Sequence, residues 1–440
     1  MVFFENLWWF LVLIGVMILI HELGHFWVAR FFKVRVEVFS FGFGPRLFGF
    51  RRGDTDYRFS LILFGGYVKM LGEQVGDEHS DDPDSFLSKP KWQRLMIAGA
   101  GPLVNVVLAI GLLTGLFMFK FQKVAEPPVR GFIGHVFEDS AAAKAGLREG
   151  DRIAMLDGQR DPTWEEIVLK EMSNAYKTLS LTIEREGRRF DTLLTPVLDE
   201  RTGVGSAGWS EHVEIQVGDL SPGMPAEKAG LKRGDLLVSV NGQPIHSRYK
   251  LREVITKTNG RKVTLVYERD GQRHTLEIQP VFNTLEGQSL WMIGVQPDAR
   301  LRLITTQLPF PQALAESIRQ NRKGAMMILG FLKGVIERRM SAKQLQGPIG
   351  IAQLSGEAAR EGPPAFIHLM ALVSLNLAIF NLLPIPILDG GVILLLLVEM
   401  ILRRDLSLPV KEAVIKVGFV FLMVVTVFAL YNDISRILPG

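Results

Sequence analysis

The chain contains no cysteine among its 440 residues. That absence removes any disulfide framework and any thiolate nucleophile or ligand, while saying little about compartment. No nucleic-acid motif accompanies the net charge of +4, so the basic excess is read as loops flanking membrane spans. The first apolar run lacks a basic segment before it and a small-x-small site after it. It is therefore expected to be a retained span, not a cleaved signal. What is abundant is apolar sequence: 48% of residues are hydrophobic, yet 22% are charged. That mixture predicts membrane spans joined to a water-exposed part, in a chain too long for one compact core.

Four segments are apolar enough to cross a bilayer, which takes about 20 helical residues. They run from about Leu7 to Phe32, Leu95 to Phe119, Phe366 to Leu402, and Val414 to Leu430. The third is too long for one straight span and is expected to break at "NLLPIPILDGG". Basic residues follow the first span (Arg30, Lys33, Arg35), precede the second (Lys89, Lys91, Arg94) and lie beyond the third (Arg403, Arg404, Lys411). The positive-inside rule then places those loops in the cytoplasm, and the N-terminus, residues 122–365 and the C-terminus outside.

The outer stretch repeats itself. "AAAKAGLREGDRIAMLDGQ" at 141–159 is matched by "PAEKAGLKRGDLLVSVNGQ" at 225–243. Each copy reads as a short helix, a glycine turn, a strand and an Asp-Gly or Asn-Gly hairpin. The pattern resembles the circularly permuted PDZ domains of bacterial proteases, over 127–205 and 213–300. Such grooves bind extended peptide along a sheet edge, although the modules can equally serve as bulk. Residues 301–365 then carry an amphipathic helix, set at the membrane surface or packed on the repeats. "GPIGIAQLSG" at 347–356 is expected to be a loop or re-entrant segment.

The first span holds "HELGH". His21 and His25, four residues apart, share one helix face and suit a single zinc ion, with Glu22 in reach as a base. Ionisable groups at membrane depth are costly, so they pair, bind an ion or line a cavity. A catalytic zinc takes three protein ligands. The other histidines fall in the outer modules (His135, His212, His246, His274), in a polar loop (His79) or near a span end (His368). Asp389 is the better third ligand, because Pro384 and Pro386 break the helix beside it. Irregular backbone at that depth has to border protein or water. The bland alternative is a pair of proline kinks near a span end with a solvated aspartate.

Taken together, "HELGH", "NLLPIPILDGG" and the tandem repeat resemble the site-2 family of intramembrane metalloproteases, across essentially the whole chain. The resemblance implies a polytopic α-helical membrane protein of about four transmembrane helices, with a membrane-associated β region and two tandem α+β PDZ domains. It implies membrane parts at 1–126 and 366–440 and a linker at 301–365. It implies zinc held by His21, His25 and Asp389, Glu22 as catalytic base, and Asn381, with the Pro384–Pro386 break, holding substrate. "FGFGP", with Gly42 and Gly44, and "YRFSLILFGGYVKM", with Leu61 and Ile62, match a membrane-dipping β region. Its strand is expected to offer an open edge to an unwound substrate. The implied partners are the lipid bilayer, single-span membrane proteins such as an anti-sigma factor, and an upstream site-1-type protease; nucleic acid is not among them. The implied setting is a bacterial inner membrane, with the PDZ domains outside. A non-proteolytic PDZ membrane scaffold would explain the repeat and the spans but not the metal triad. A metal transporter would need a second site within the spans.

Overall fold

In the computed structural model, residues 2–73, 82–119, 121–125, 131–200, 202–285, 288–301, 303–344 and 346–437 are described. His79 and the expected domain start at 127 lie outside them. The chain divides into two compact units. One comprises 1–121, 305–329 and 343–440; the other comprises 122–304 and 330–342.

The first unit is helical. Among the described residues, four helices are long and apolar enough to cross a membrane: Val2–Phe31 (α1), Lys91–Met118 (α2), Pro363–Asn381 and Leu408–Arg436. The third expected span is indeed broken. The helix Pro363–Asn381 ends, Leu382–Leu388 is irregular, and a second helix covers Asp389–Leu402. Glycine makes this break compact: a Cβ at Gly390 or Gly391 would strike the carbonyls of Leu383 or Ile385, and one at Gly418 would strike Pro386.

Between α1 and α2 lie two long strands, Val36–Arg52 (β1) and Thr55–Met70 (β2), each doubled back on itself. Phe39 pairs with both Tyr57 and Val68, while Tyr57 also pairs with Phe50. The sheet therefore runs 46–52, 55–60, 36–41, 66–70 in space. Ser40 and Ser60 seal its middle with a buried hydroxyl pair at 2.9 Å. The base packs on both helices through Phe26, Val34, Val36, Val68 and Ile97. At the far end Leu47, Phe48, Leu61 and Ile62 are exposed, as is Phe50 on the outer strand 46–52.

One expectation needs correction. Residues 347–356, expected as a loop or a re-entrant segment, are helical and not a loop: Pro348–Glu361 is a helix. Its own N-cap, Gly347, supplies no side-chain bond. The cap arrives from Asp433, whose carboxylate accepts the Gly347, Ile349 and Gly350 amides at 2.9, 2.9 and 3.1 Å. The amphipathic segment forms the helix Phe310–Ile336. Its first half packs on α2, where Ala313 is buried and the Ser317 hydroxyl donates to the Ile110 carbonyl at 2.7 Å. Beyond that helix, Arg339 binds the Ser173 carbonyl of the first repeat.

The second unit shows why the repeat repeats. In the first copy Asp151, 1% exposed, receives Arg185 Nε at 2.6 Å and the Arg148 amide at 2.8 Å. In the second, Asp235, 2% exposed, receives Arg269 Nε at 2.7 Å and the Lys232 amide at 2.7 Å. The same arginines also cap the Gly146 and Gly230 carbonyls. The "AGL..GD" motif is thus a buried aspartate that closes one turn and pins it to a strand. Asp157-Gly158 and Asn241-Gly242 turn with positive φ at both positions, as a tight type I′ hairpin demands. Each copy has its own apolar core, around Ile153, Leu181 and Ile183 in the first and Val217, Val240 and Leu265 in the second.

Candidate metal centre

α1 carries His21 and His25, both buried, with half-buried Glu22 beside them. The Pro384–Pro386 break then starts its second helix with Asp389. The result is a tight triangle. His21 Nε2 lies 3.2 Å from His25 Nε2 and 3.2 Å from Asp389 Oδ2, and His25 Nε2 lies 3.4 Å from Asp389 Oδ1. Among the described residues this is the one group of three or more potential ligands so gathered.

Zinc–ligand bonds of about 2.0–2.1 Å in tetrahedral geometry place ligand atoms about 3.3 Å apart. The three observed separations match that figure on every side. Asp389 Oδ2 is also buried with no hydrogen-bond partner, as expected of an oxygen reserved for an ion. The donor set, two imidazoles and a carboxylate, is one that zinc uses in open catalytic sites. The residues present therefore fit the ion.

α2 forms the opposite wall. The Ile97 carbonyl accepts from His25 Nδ1 at 2.8 Å, and Asn105 meets His21 Nδ1 at 3.2 Å. Between them Gly101 presents bare backbone to the rings; a Cβ there would fall 2.8 Å from His21 Nε2 and closer still to His25 Nε2. β2 closes the site on the Glu22 side. The Val68 amide faces the Glu22 carboxylate, and a Cβ at Gly66 would touch Glu22 Cγ at 3.1 Å.

With this geometry the chain can be compared with known proteins. The sequence matches the model of peptidase family M50 over residues 9–425. The chain belongs to peptidase family M50. It is 32% identical to Regulator of sigma-E protease RseP of Salmonella typhimurium, over 98% of this chain and 99% of that one. Against the Escherichia coli K12 protein of the same name, identity is 31% over 97% and 98%. A Neisseria meningitidis protein, NMA0084, named as a candidate zinc metalloprotease, is 33% identical over 98% of both chains. M50 membership makes this a protease of the site-2 type, with the triangle above as its candidate centre.

The other predicted site residues fall in two groups. Asn381 reaches the centre, with Nδ2 3.4 Å from His21 Nε2. Pro384 and Pro386 lie in the break that leads into Asp389. Gly42 and Gly44 adopt φ of 97° and 85° where β1 folds back. Ile62 pairs with Phe43 at that same fold, and Leu61 and Ile62 are exposed at the far end of the sheet. The strand that carries Leu61 and Ile62 is covered on both sides only nearer its start. Residues 57–59 are paired on both sides, whereas 66–70 pair only with 36–41 in the described ladder. A stretch paired on one side only is thus 66–70, alongside Glu22; its Val68 amide faces Glu22 and its Met70 amide donates to Glu73 at 3.1 Å. Sequence reasoning missed Gly101 and Asn105. Their signal was "GAGPLVN", a polar amide and small residues inside an apolar span.

Proposed function

We propose that this chain is a zinc-dependent intramembrane endopeptidase that cuts the transmembrane segments of single-span proteins. Its substrates are of the anti-sigma-factor type, already trimmed by another protease; remnant signal peptides share the same chemistry. The observation that carries the reading is the triangle of His21, His25 and Asp389 with Glu22 beside it, its two histidines and the glutamate carried on a helix that is itself a candidate span. The Salmonella and E. coli relatives, named regulators of sigma-E protease, support the choice of substrate class.

Zinc, when bound, lowers the pKa of a water to about 7 and polarises the scissile carbonyl. The chain supplies the rest. Glu22 takes the proton of the attacking water and passes it to the leaving amine nitrogen. Asn381, in reach of the same histidine, offers an amide donor to the carbonyl oxygen as charge develops there. A helical substrate has its carbonyls already bonded and must be unwound. The stretch 66–70, paired on one side only, lies next to Glu22, and an unwound segment pairs there as an added strand by taking over amides that Glu22 and Glu73 otherwise hold. The exposed apolar tip of the sheet suits contact with lipid.

The two repeats act as PDZ modules on the outer face of a bacterial inner membrane. By their bulk they hold back substrates with intact ectodomains, and the catalytic centre lies toward the cytoplasmic side. The test uses purified full-length protein. It should carry about one zinc per chain. Asp389→Ala should lose both zinc and cleavage, while Glu22→Gln should lose cleavage and keep zinc. Full activity in Asp389→Ala would overturn the ligand assignment.

A further inference from the structure

The two histidines differ in what steadies them. His25 Nδ1 faces a backbone carbonyl, that of Ile97, at 2.8 Å. A carbonyl can only accept, so His25 must carry its proton on Nδ1, leaving Nε2 free to ligate. His21 Nδ1 instead faces the side-chain amide of Asn105, placed with its nitrogen Nδ2 toward the ring at 3.2 Å. An amide offers an acceptor at one end and a donor at the other, and the two exchange by a half-turn about the Cβ–Cγ bond.

Chemistry decides between the two orientations. With the amide nitrogen toward Nδ1, the His21 proton would sit on Nε2. That atom lies 3.2 Å from both His25 Nε2 and Asp389 Oδ2, at the corner of the triangle. With the amide oxygen toward Nδ1, the proton sits on Nδ1 and Nε2 is free. The two orientations therefore separate a ligating His21 from a non-ligating one. Asn105 itself is 0% exposed, and with its nitrogen toward His21 the oxygen Oδ1 is left buried without a partner. A buried, half-satisfied amide costs about 1–3 kcal/mol, a poor bargain for packing alone in an apolar helix.

We propose that Asn105 is a positioning residue: its side-chain oxygen accepts from His21 Nδ1 and so fixes His21 as an Nε2 metal ligand. Together with the Ile97 carbonyl it makes α2 a template that sets both histidines. Ile97, Gly101 and Asn105 recur every four residues along one helix face, with Gly101 leaving room for the rings. The inference rests on the zinc reading above.

The experiment compares full-length wild type, Asn105→Asp and Asn105→Leu. Zinc affinity is measured by competition with a chelator, and site geometry by the visible spectrum after cobalt substitution. Aspartate keeps an acceptor oxygen and cannot donate; leucine keeps the approximate volume and does neither. The expected result is a 10–100-fold loss of zinc affinity in Asn105→Leu, the range seen when such outer partners are removed. Asn105→Asp should hold zinc within about threefold of wild type and keep the wild-type cobalt spectrum. Thermal midpoints of the zinc-free proteins check the fold; if the leucine variant does not fold, the aspartate variant alone decides. Unchanged affinity in Asn105→Leu would overturn the proposal, and so would equal losses in both folded variants. Wild type that binds no zinc would instead overturn the zinc reading itself.

Discussion

Gly101 gives the sharpest test of the site because the same substitution can be made elsewhere on the same helix. In Gly101→Ala the new methyl carbon would lie 2.8 Å from both Cε1 and Nε2 of His21, and nearer to His25 Nε2. Favourable contact begins at about 3.5 Å, so the His21 ring must retreat by about 0.7 Å and the His25 ring by more. Neither ring is free to do so, since each is also held through Nδ1. A triangle with sides of 3.2, 3.2 and 3.4 Å cannot open that far and still match a tetrahedral ion. Misplacement of about 1 Å costs on the order of 100-fold in rate, and zinc affinity should fall with it. Gly99 and Gly111 are the controls: a Cβ there meets nothing within 4 Å. Alanine at those sites should leave zinc and cleavage intact, with stability unchanged or higher by about 0.5–1 kcal/mol. The assay is zinc content per chain and cleavage of one single-span substrate in all three variants, with thermal midpoints as a fold check. Wild-type zinc and activity in Gly101→Ala would refute the claim that α2 is a close-fitting wall.

Two further outcomes concern the outer repeats and the orientation. In the first repeat, burial pushes the Glu171 carboxyl up to about 7, against the lowering effect of the Ala207 amide and the Trp209 indole N–H that it accepts. The folded state therefore holds a proton that the unfolded chain releases near 4.5. Stability of this repeat should fall as pH rises from about 4.5 to 7, by roughly 3 kcal/mol, and level off above. Protease resistance of 131–211 in the intact chain, read against urea at several pH values, should show that slope in wild type and lose it in Glu171→Gln; a flat wild-type profile would refute the account. For orientation, the chain has no cysteine, so a single introduced one is read cleanly. Exposed Ser407→Cys should label only after the membrane is breached and exposed Gln272→Cys from outside; the reverse pattern would invert the orientation.

How much of this was legible in the sequence depends on the distance over which each feature is specified. "HELGH" could be read because two ligands and a base sit within one helical turn and a half, and local spacing alone puts them on one face. Asp389 was legible by a different route: prolines announce a broken helix, and a carboxylate in such a break needs a reason. The hairpin turns of both repeats followed from their Asp-Gly and Asn-Gly pairs. Two features that escaped are non-local. "RFSLILFGG" announces strand, but nothing within it says that 55–60 will be inserted between 36–41 and 46–52, which leaves 66–70 paired on one side only. The helix Pro348–Glu361 was hidden because its cap, Asp433, sits 86 residues from Gly347.

The wall formed by α2 was missed for a subtler reason. The rule applied to the spans asked where ionisable groups sit at membrane depth. Asn105 is not ionisable and Gly101 has no side chain, so neither raised a flag. Yet a buried amide in an apolar helix is as much in need of a partner as a charge is. A glycine four residues before it marks the same face, and Gly24 on α1 answers with a close crossing, where a Cβ would fall 2.7 Å from the Ala100 carbonyl. Close approach of two helix backbones at Gly24 and Gly101 is what brings α2 near enough for its Ile97 carbonyl and Asn105 amide to reach both imidazoles. The metal triangle therefore depends on a helix that contributes no ligand to it. Read with that rule widened from charges to amides, "GAGPLVN" would have pointed to the same wall.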